Sequence, residues 1–525
     1  MKVDMHKLLL LLFFVRLSLT QSIQEELPIG FTPEEWENRH LIQEMQGRQT
    51  DPPLNPIRAI AEFERMQGVL IRYPFGITTT VIAEMAEDVT IYCLCSTGSQ
   101  TAAYNSMSSG GVNMDHVEFI LGATDSYWTR DYGPWWVVDG NNELVVVDHT
   151  YNRPRPNDNQ APQKVSDYFS TGFYASDLIT AGGNFMTDGF GVGSSSLLTY
   201  EENPTLGQNG VDALLENYYG INPYYALEDP NNTYIDHIDC WGKFLSPSKV
   251  LIRSVPETHA QYDELEATAN YYATHINGFG EVYEVFRAYT PQNQPYTNSF
   301  ILNNKVLVPM MSNQWDDEAL AVYQEALPGY EIIGVTGTWE STDALHCRAK
   351  GIPDLGLLQI FHNPIDDQEF PLENYEVVTI IDPLSGAELI AEELYIGWKN
   401  TFMDDYEILP LVSTGNDAEY TAAIPQQPAD TEVHYFIHAG DASNRFETLP
   451  IAGYFQFDAI GGAPTQLGDV NMDGAVNVLD IVGVVAHILG TQFLEGYAAQ
   501  LADVNQDGVI NVLDIIAIIN IITGS

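Results

Sequence analysis

Residues 341–353 read Ser-Thr-Asp-Ala-Leu-His-Cys-Arg-Ala-Lys-Gly-Ile-Pro and place Cys347 between a histidine and an arginine. Cationic neighbours lower the pKa of a thiol, and the thiolate is its reactive form. The sequence therefore predicts a nucleophilic cysteine at this position. The alternative interpretation of a lone cysteine is a small buried hydrophobic side chain.

Three other stretches accompany the cysteine stretch: Trp-Thr-Arg-Asp-Tyr-Gly-Pro at 128–134, His-Ile-Asp-Cys-Trp-Gly-Lys-Phe at 237–244 and Tyr-Thr-Asn-Ser-Phe at 296–300. As a set, the four stretches resemble the guanidino-group-modifying enzymes of the pentein fold, especially agmatine deiminases and the bacterial (Porphyromonas-type) peptidylarginine deiminase. The resemblance covers roughly residues 51–362. Residues 151–157, Tyr-Asn-Arg-Pro-Arg-Pro-Asn, point to the peptidylarginine deiminase branch.

The resemblance implies a catalytic set that suits arginine chemistry. A guanidinium group is planar and cationic, so two carboxylates can each accept a pair of its N–H groups. Asp131 and Asp239 would hold the guanidinium, and Cys347 would attack its central carbon. His237, two residues before Asp239 and on the same side if the segment is a strand, would act as general acid and base. Asn298 would bond near the thiolate.

The implied function is that of a hydrolase of linear amidines, which converts peptide arginine to citrulline and ammonia through a covalent thiouronium on the cysteine. Trp128 and Ile235 would line the aliphatic stem of the substrate. Arg153 and Arg155, each followed by proline, should project to one side of a stiff extended segment and would bind the terminal carboxylate of the substrate. Salt bridges to surface acids are the alternative role of these two arginines. The predicted substrate contacts are Trp128, Arg153, Arg155, Gly183, Tyr234, Ile235 and Thr342.

These catalytic steps need no metal and no organic cofactor. Gly182-Gly-Asn184 lacks the Lys-Ser/Thr ending of a phosphate-binding loop, so we interpret it as a tight turn first and a substrate contact second. Cys93, Cys95 and Cys240 are expected to be small buried side chains. With four cysteines and no Cys-x-x-Cys, the chain has no zinc site of that type and no disulfide framework.

The charge balance is strongly acidic: 72 Asp and Glu stand against 21 Lys and Arg, a formal net charge of −51 in 525 residues. A surface of this sign repels phosphate backbones, which argues against nucleic-acid binding. It attracts cationic groups such as arginine side chains. Adaptation to saline surroundings and calcium ligation are alternative explanations of the same excess.

The N-terminus reads as a signal peptide at residues 1–20, with Lys2 and Lys7 ahead of an apolar run and cleavage before Gln21. Residues 21–50 are polar and acidic, and we interpret them as a leader or pro-segment. No later stretch reaches the roughly 20 apolar residues that a membrane span needs. The protein is therefore expected to be secreted or held at the cell surface.

At this length the chain should divide into two to four domains. Residues 51–361 alternate short apolar strands with helical stretches, which predicts an α/β domain. The resemblance makes this domain a pentein, a five-bladed α/β propeller. Residues 362–460 consist of short strand-like runs and predict an immunoglobulin-like β-sandwich. A linker at 461–467 follows, and residues 468–525 form a small α-helical domain.

This last domain contains two copies of one motif, which begin at Asp469 and Asp503. Each copy carries oxygen side chains at loop positions 1, 3, 5, 9 and 12, glycine at position 6 and an expected backbone carbonyl ligand at position 7, as in calcium loops of the EF-hand type. Duplicated loop-helix modules of this kind resemble type I dockerins and predict two Ca²⁺ ions. The predicted ligands are Asp469, Asn471, Asp473, Ala475, Asn477, Asp480, Asp503, Asn505, Asp507, Val509, Asn511 and Asp514.

Each loop runs into an apolar helix, predicted at 481–489 and 515–522. Loop positions 10 and 11 are Val-Leu in both copies, where scaffold-binding dockerins often carry polar pairs. A cohesin-like or cell-surface partner is therefore left open.

Two other functions remain alternatives to an exported peptidylarginine deiminase. The first is an agmatine deiminase, or another small-guanidine hydrolase or amidinotransferase. The second is a calcium-dependent surface attachment protein whose pentein domain only binds. A binding protein would have no use for Cys347 as a nucleophile, which favours the enzymes.

Overall fold

The computed structural model describes residues 26–368, 372–427, 431–460, 466–471, 475–491, 493–494 and 496–524. The predicted signal peptide and most of the predicted linker lie outside these residues. The chain divides into two compact units: Met1–Ala326 with Ile332–Asp354, and Leu327–Glu331 with Leu355–Ser525. In the described residues, no helix is both long and apolar enough to cross a membrane.

The first unit alternates short helices with short strands. Its helices are α1 (Pro33–Glu37), α2 (Leu41–Glu44), α3 (Thr79–Met85), α4 (Gln100–Ser109), α5 (Thr129–Tyr132), α6 (Ala161–Phe169), α7 (Leu198–Glu201), α8 (Gly207–Tyr219), α9 (Tyr262–Tyr272) and α10 (Asp316–Ala326). Its strands are β1 (Arg58–Ala59), β2 (Met66–Arg72), β3 (Thr90–Cys95), β4 (Val117–Leu121), β5 (Trp135–Val138), β6 (Leu144–Tyr151), β7 (Phe173–Thr180), β8 (Met186–Thr187), β9 (Gly193–Ser196), β10 (Tyr224–Leu227), β11 (Gly242–Phe244), β12 (Lys249–Ser254), β13 (Glu284–Tyr289), β14 (Phe300–Leu302), β15 (Lys305–Met310), β16 (Glu331–Thr336) and β17 (Lys350–Pro353). Single 3₁₀ turns lie at Met114–His116, Gly182–Asn184, Ile238–Cys240 and His346–Arg348.

These strands form five separate small sheets, in the orders β1-β5-β6-β7, β10-β9-β8, β11-β12-β13, β14-β15-β16 and β17-β2-β3-β4. Parallel and antiparallel pairs occur together, as in the sheet where β2 pairs with β3 in parallel and with β17 antiparallel. The mixed α/β content agrees with the predicted class. No sheet in the described chain closes on itself, and the five-bladed propeller stays a prediction.

The burial of β6 explains why its first half is a continuous apolar run. All eight residues of this strand, Leu-Val-Val-Val-Asp-His-Thr-Tyr, are buried. A strand that is covered on both faces reads as a hydrophobic run, whereas a strand with one wet face alternates. The same burial places Asp148 and His149 in the interior of the unit.

The second unit contains two antiparallel sheets and a helical region. Its strands are β18 (Leu358–Phe361), β19 (Asn374–Pro383), β20 (Tyr395–Asn400), β21 (Glu407–Pro410), β22 (Val412–Ser413), β23 (Glu419–Pro425), β24 (Thr431–Gly440), β25 (Phe446–Leu449) and β26 (Phe455–Ala459), with a 3₁₀ turn at Ala391–Glu393. The sheets have the orders β18-β19-β23-β22 and β21-β20-β24-β25, and β26 also pairs with β24. β19 alternates exposed and buried residues, as expected for a sheet with one wet face. An immunoglobulin-like topology stays a prediction.

The helical region consists of α11 (Val478–Ile488), α12 (Gly496–Ala502) and α13 (Val512–Thr523). Helices α11 and α13 begin three residues before the predicted starts, because Asn477 and Asn511 cap them and each forms a capping box with the aspartate three residues later. Their shared core contains Val484 and Ile518. The sequence analysis did not predict α12.

Candidate active site

Four short segments of the first unit meet, and the predicted catalytic residues other than Asn298 lie on or directly beside three of them. Helix α5 contacts the turns Gly182–Asn184 and His346–Arg348, and the turn Gly182–Asn184 contacts the turn Ile238–Cys240. The expected strand geometry of His237 and Asp239 is wrong, because His237 is an extended residue that caps a 3₁₀ turn and Asp239 lies within that turn. The turn nevertheless brings both side chains to one place.

Asn298 contacts Cys347, the predicted nucleophile, and the loop before it. Its side-chain Nδ2 lies 3.3 Å from the Sγ of Cys347, which itself lies 3.5 Å from Oδ2 of Asp239. The side-chain Oδ1 of Asn298 accepts hydrogen bonds from the backbone N–H groups of Ala344 and His346, each at 3.0 Å. One amide side chain thus fixes the loop before the cysteine and donates toward the sulfur.

Gly183 lies at the point where the acid and base groups converge. A Cβ on this residue would lie 2.6 Å from Oδ1 of Asp131, 2.9 Å from Nδ1 of His237 and 3.2 Å from Oδ2 of Asp239. The backbone N–H of Gly183 donates to Oδ1 of Asp131 at 3.2 Å. Glycine therefore leaves the space between two carboxylates and an imidazole free of side-chain atoms of its own.

The two carboxylates have different electrostatic surroundings. Burial and the nearby charge of Asp239 raise the pKa of Asp131 to about 8. Burial also opposes the charge of Asp239, but the hydrogen bond from His346 and the nearby positive charges together outweigh it and hold the Asp239 pKa below its ordinary value. At neutral pH, Asp239 is therefore ionised, while Asp131 holds a proton that a cationic ligand can displace.

His237 is a buried imidazole without polar contacts of normal hydrogen-bond length. Among the described residues, neither of its ring nitrogens has a hydrogen-bond partner, and Nδ1 lies 3.6 Å from Oδ1 of Asp131. Burial lowers its pKa to about 4, so the ring is neutral at pH 7. An unpartnered buried base is costly to maintain and is suited to accepting a proton from a bound group.

The expectation that flanking cations lower the pKa of Cys347 is wrong. His346 faces Asp239 and Glu62, at 2.7 and 2.6 Å. Arg348 donates through Nε to Asp343 at 2.7 Å. Because both neighbours are engaged elsewhere, burial raises the pKa of the Cys347 thiol well above its usual value, and the charges of Asp239 and Asp131 raise it further.

Sequence reasoning missed a buried ionic cluster behind Asp239. Glu62 is the common acceptor of His346 at 2.6 Å, Arg130 at 2.5 Å and Lys243 at 2.8 Å. Burial opposes the charge of Glu62, but these cations outweigh it and hold the Glu62 pKa well below the usual range. Arg130 and Lys243 lie inside the stretches quoted at 128–134 and 237–244. Because basic residues are scarce in this chain, two of them within these stretches were the signal that could have indicated the cluster.

The two predicted carboxylate-binding arginines lie in the first unit with both guanidinium groups buried. Arg153 is 3% exposed and Arg155 is 1% exposed. Their positive charges act on Asp131, which places the pair near the catalytic cluster. The predicted extended geometry is wrong, because the segment turns so that the N–H of Arg155 donates to the carbonyl of Arg153 at 2.7 Å.

The other predicted substrate contacts surround the same cluster. Trp128 and Ile235 are buried, whereas Tyr234 is 71% exposed. Thr342 is buried, and its carbonyl oxygen lies 3.3 Å from the Sγ of Cys240. All four cysteines are buried free thiols, as predicted for Cys93, Cys95 and Cys240.

The two calcium-type loops in the second unit share one hydrogen-bond pattern. Asp480 accepts the backbone N–H groups of Asn471 and Asn477 at 2.9 and 2.8 Å. Asp514 accepts those of Asn505 and Asn511 at 3.2 and 2.9 Å. Asp473 lies outside the described residues.

The donor chemistry of these loops fits a hard cation. In the second loop, Asp503 and Asp507 turn their carboxylates toward the loop's own N–H groups, and Asn511 donates to the carbonyl of Val509 at 2.9 Å. In the first loop, Asn477 donates to the carbonyl of Ala475 in the same way. The described residues hold no cluster of three or more His, Cys, Asp or Glu placed as metal ligands, and the loops instead offer mixed carboxylate, amide and carbonyl oxygens, which calcium accepts.

Curated relatives of this chain are named as deiminases of small guanidines. A Shewanella baltica protein (strain OS155) named "Putative agmatine deiminase" is 27% identical over 286 residues, which cover 45% of this chain and 76% of the relative. The agmatine deiminase of Medicago truncatula is 23% identical over 298 residues, covering 46% of this chain and 79% of the relative.

A solved structure shows the same fold as the first unit. The agmatine deiminase of Enterococcus faecalis superposes with a TM-score of 0.52 at 18% identity, covering 58% of this chain and 99% of that chain. The fold of this part of the chain is therefore that of the pentein deiminases.

Family models match two parts of the sequence. The type I dockerin domain matches residues 467–523, which contain both calcium-type loops. The Porphyromonas-type peptidyl-arginine deiminase model matches residues 59–353, more than half of the chain, and this range contains every predicted catalytic residue. The chain therefore belongs to the Porphyromonas-type peptidyl-arginine deiminase family and carries a C-terminal type I dockerin domain.

Proposed function

We propose that this chain is an exported peptidylarginine deiminase that hydrolyses the guanidinium of a C-terminal peptide arginine to citrulline and ammonia. The observation that carries the proposal is the convergence of Asp131, His237 and Asp239 around Gly183, beside the thiol of Cys347. Two carboxylates suit the two N–H edges of a guanidinium, and the thiol is close to the carboxylate that would hold it. The imidazole completes the set as the proton carrier.

The reaction proceeds in two halves. The sulfur of Cys347 attacks the guanidinium carbon as its proton passes to the neutral His237, and His237 then gives that proton to one nitrogen, which leaves as ammonia. A thiouronium on the cysteine remains. Water, deprotonated by His237, adds to the same carbon; the carbon–sulfur bond breaks, and citrulline and the thiol are released. The atoms and the charge balance as one guanidinium ion and one water consumed, with one citrulline, one ammonia and one proton formed, and the ammonia takes up the proton as ammonium.

The substrate itself supplies the charge that the free site lacks. The pKa values of Asp131 and Cys347 are raised in the free protein, where two carboxylates and a thiol are buried together. A guanidinium between them is a positive charge in a buried site, and opposite charge favours both ionised forms. Binding of the guanidinium therefore releases the proton of Asp131 and favours the thiolate of Cys347.

The pH dependence of kcat/KM follows from this proton release. Asp131 must lose a proton to bind the guanidinium, so kcat/KM should rise as pH increases toward about 8, by about ten-fold per unit at the lower end. The kcat profile, which reports the substrate complex, should have its inflection at a lower pH. Steady-state kinetics from pH 5.5 to 9 measure both profiles. A kcat/KM that is constant from pH 6 to 8 would contradict the assignment of Asp131.

Specificity for a C-terminal arginine rests on Arg153 and Arg155. Both guanidinium groups are buried beside the catalytic cluster, and agmatine has no carboxylate for them to bind. A peptide that ends in free arginine should exceed its C-terminal amide in kcat/KM by at least about ten-fold, because a hydrogen bond to a charged group contributes about 1.5–3 kcal/mol and 1.4 kcal/mol is a factor of about ten. A colorimetric citrulline assay with acid, amide and agmatine measures the ratio.

Arg155→Lys is the informative variant for this experiment. It keeps a positive charge but loses the planar fork that binds a carboxylate through two hydrogen bonds, so the ratio of acid to amide should narrow. Circular dichroism confirms that the variant is folded. Equal kcat/KM for the acid and the amide in the wild type would contradict recognition of the substrate's carboxylate. Faster turnover of agmatine than of either peptide would identify the chain as an agmatine deiminase.

We propose further that the dockerin domain binds two calcium ions and attaches the enzyme to a partner outside the cell. The Val-Leu pairs at loop positions 10 and 11 are exposed: Val478 and Leu479 at 65% and 62%, and Val512 and Leu513 at 59% and 58%. Apolar side chains presented at two equivalent places favour a cohesin-like or cell-surface partner with an apolar contact face. A protein that only attaches would leave the convergence of Asp131, His237 and Asp239 beside the Cys347 thiol unexplained.

Calcium removal should loosen the helices α11 and α13 without stopping catalysis. Each loop gathers carboxylates that repel one another without the ion, and at about 100 times Kd a bound ion stabilises by about 2.7 kcal/mol. Hydrogen exchange in chelator should therefore speed up about 100-fold in these helices, while citrulline production continues. Unchanged exchange on chelation contradicts calcium binding, and loss of activity together with faster exchange places a calcium requirement in the catalytic unit.

A further inference from the structure

Residues 26–37, here called the N-terminal segment, lie on the predicted substrate-binding side chains. Glu35 makes a two-point contact: Nε of Arg155 donates to its Oε1 at 2.7 Å and Nη2 of Arg155 donates to its Oε2 at 3.1 Å. The same Nη2 also donates to the carbonyls of Pro28 and Gly30, at 2.7 and 3.0 Å. A carboxylate of the chain itself thus occupies the fork of Arg155.

The neighbouring predicted contacts are covered in the same way. Arg153 donates through Nε to the carbonyl of Ile29 at 3.1 Å, and its guanidinium lies 4.4 Å from the ring centre of Phe31. The indole N–H of Trp128 donates to the carbonyl of Leu27 at 3.0 Å. Two arginines and a tryptophan assigned to the substrate therefore donate hydrogen bonds to the N-terminal segment.

The segment also fills the space beside the predicted stem-binding residues. A Cβ on Gly30 would lie 2.5 Å from Cε2 of Tyr234 and 3.7 Å from Cδ1 of Ile235. Ile29 is itself buried. Cys347 and His237 are both 0% exposed. The thiol is therefore closed to a peptide in this conformation of the chain.

The burial of Arg155 makes occupation by the segment or by a substrate mutually exclusive. The side chain of Arg155 is 1% exposed and that of Glu35 is 12% exposed. A buried guanidinium without a carboxylate is costly, so whatever displaces Glu35 must bring a carboxylate of its own. Burial opposes the charge of Glu35, but the hydrogen bonds from Arg155 and from the backbone N–H of Thr32, together with the charge of Arg155, hold the pKa of Glu35 below its ordinary value, and the carboxylate is ionised at neutral pH.

We propose that the N-terminal segment is an internal pseudosubstrate, with Glu35 in the position of the substrate's terminal carboxylate, and that its release opens the active site. This proposal rests on the proposed function for the role of Arg155. It makes the chain a zymogen-like precursor, in which the segment that precedes the catalytic domain competes with the peptide substrate.

The chain directly after the segment is accessible to a protease. Residues 39–41 are exposed, and they include Arg39. Beyond them the chain is fixed to the unit again: Arg48 forms an ion pair with Asp148 at 2.8 Å, and the N–H of Thr50 donates to the carbonyl of Ala175. A cut near Arg39 therefore separates the segment from the unit while the downstream anchor stays in place.

The test uses the full chain with a recognition site for a site-specific protease introduced in place of residues 39–44. Cleaved and uncleaved protein are compared in two readouts, alkylation of Cys347 by chloroacetamidine and turnover of a peptide ending in free arginine. If the site is open in a tenth of the molecules or fewer, cleavage and removal of the segment should raise both rates at least about ten-fold. Equal alkylation rates before and after removal overturn the proposal.

A pair of point variants tests the carboxylate without any cut. Glu35→Gln keeps the shape of the residue and its capping interaction with Thr32 but removes the negative charge that faces Arg155, so it should raise the alkylation rate several-fold. Glu34→Gln is the matched control, since Glu34 is exposed one residue earlier in the same helix and should leave the rate unchanged. If circular dichroism shows that the cleaved protein is unfolded, the comparison of these two variants tests the proposal by itself. Equal alkylation rates for Glu35→Gln and Glu34→Gln overturn the proposal.

A synthetic peptide of residues 26–37 should inhibit the cleaved enzyme competitively, and the same peptide with Glu35→Gln should inhibit it at least about ten-fold less, the factor that corresponds to 1.4 kcal/mol.

Failure of this inference is distinguishable from failure of the proposed function. The ratio of acid to amide turnover does not depend on how much of the site is covered, so it tests substrate choice alone. Alkylation does not depend on substrate choice, so it tests the segment alone.

Discussion

Cys347→Ser should reduce citrulline formation by about four orders of magnitude or more, because the hydroxyl is a far poorer nucleophile than a thiolate at pH 7 and the reaction depends on a covalent adduct. The fold should be unchanged, since the serine can accept the same hydrogen bond from Nδ2 of Asn298 that the sulfur accepts. Steady-state kinetics with thermal unfolding on the same sample measure both effects.

Cys240→Ser is the matched control for the nucleophile. Cys240 is also buried, and its Sγ lies 3.7 Å from Oδ1 of Asp239, so it experiences similar surroundings. It donates to the carbonyl of Thr342, which a serine can do equally well, and this variant should keep most of its activity. Chloroacetamidine should modify Cys347 in the wild type. Modification of Cys93, Cys95 or Cys240 in its place would overturn the assignment.

Gly183→Ala should lower kcat/KM by about 100-fold, the cost of moving reacting groups by about 1 Å. The new methyl group would lie 2.6 Å from Oδ1 of Asp131 and 2.9 Å from Nδ1 of His237, so both side chains must move away from the guanidinium position. The effect should fall on KM as well as on kcat, because the same atoms bind and react. The Gly183 backbone N–H to Asp131 is retained, which limits the loss of stability.

Gly98→Ala controls for the general effect of adding a methyl group. A Cβ at Gly98 would lie no closer than 3.9 Å to its nearest neighbour, the Oγ of Ser96, so activity should match the wild type. If Gly183→Ala is as active as Gly98→Ala, the convergence of side chains around Gly183 is not the substrate site.

Several parts of the site could be predicted because their signals are local. Each catalytic residue lies in a short motif, and Asn298, Asp239 and Cys347 do meet within hydrogen-bond distance. The calcium-type loops were predicted from their spacing, because all the oxygens of a loop come from twelve consecutive residues. Their helices began earlier than predicted, since the loop asparagines also serve as caps.

Electrostatics and long-range contacts were beyond the sequence. The neighbours of Cys347 in the chain suggested a lowered pKa, but burial raises it, and what surrounds a buried group is set by packing. The partner of His346 at 2.6 Å is Glu62, 284 positions away in the chain. No periodicity or spacing connects two such residues.

The sequence by itself determined the family motifs and the two calcium-type loops and predicted the nucleophile, because each of these is written in a few adjacent residues. Only the tertiary structure decided what Arg153 and Arg155 bind in the free protein. Glu35 lies 120 positions from Arg155, in a stretch whose composition indicated nothing more than a polar leader. The physical reason is that a buried guanidinium takes the nearest carboxylate in space, and which carboxylate that is depends on the path of the folded chain.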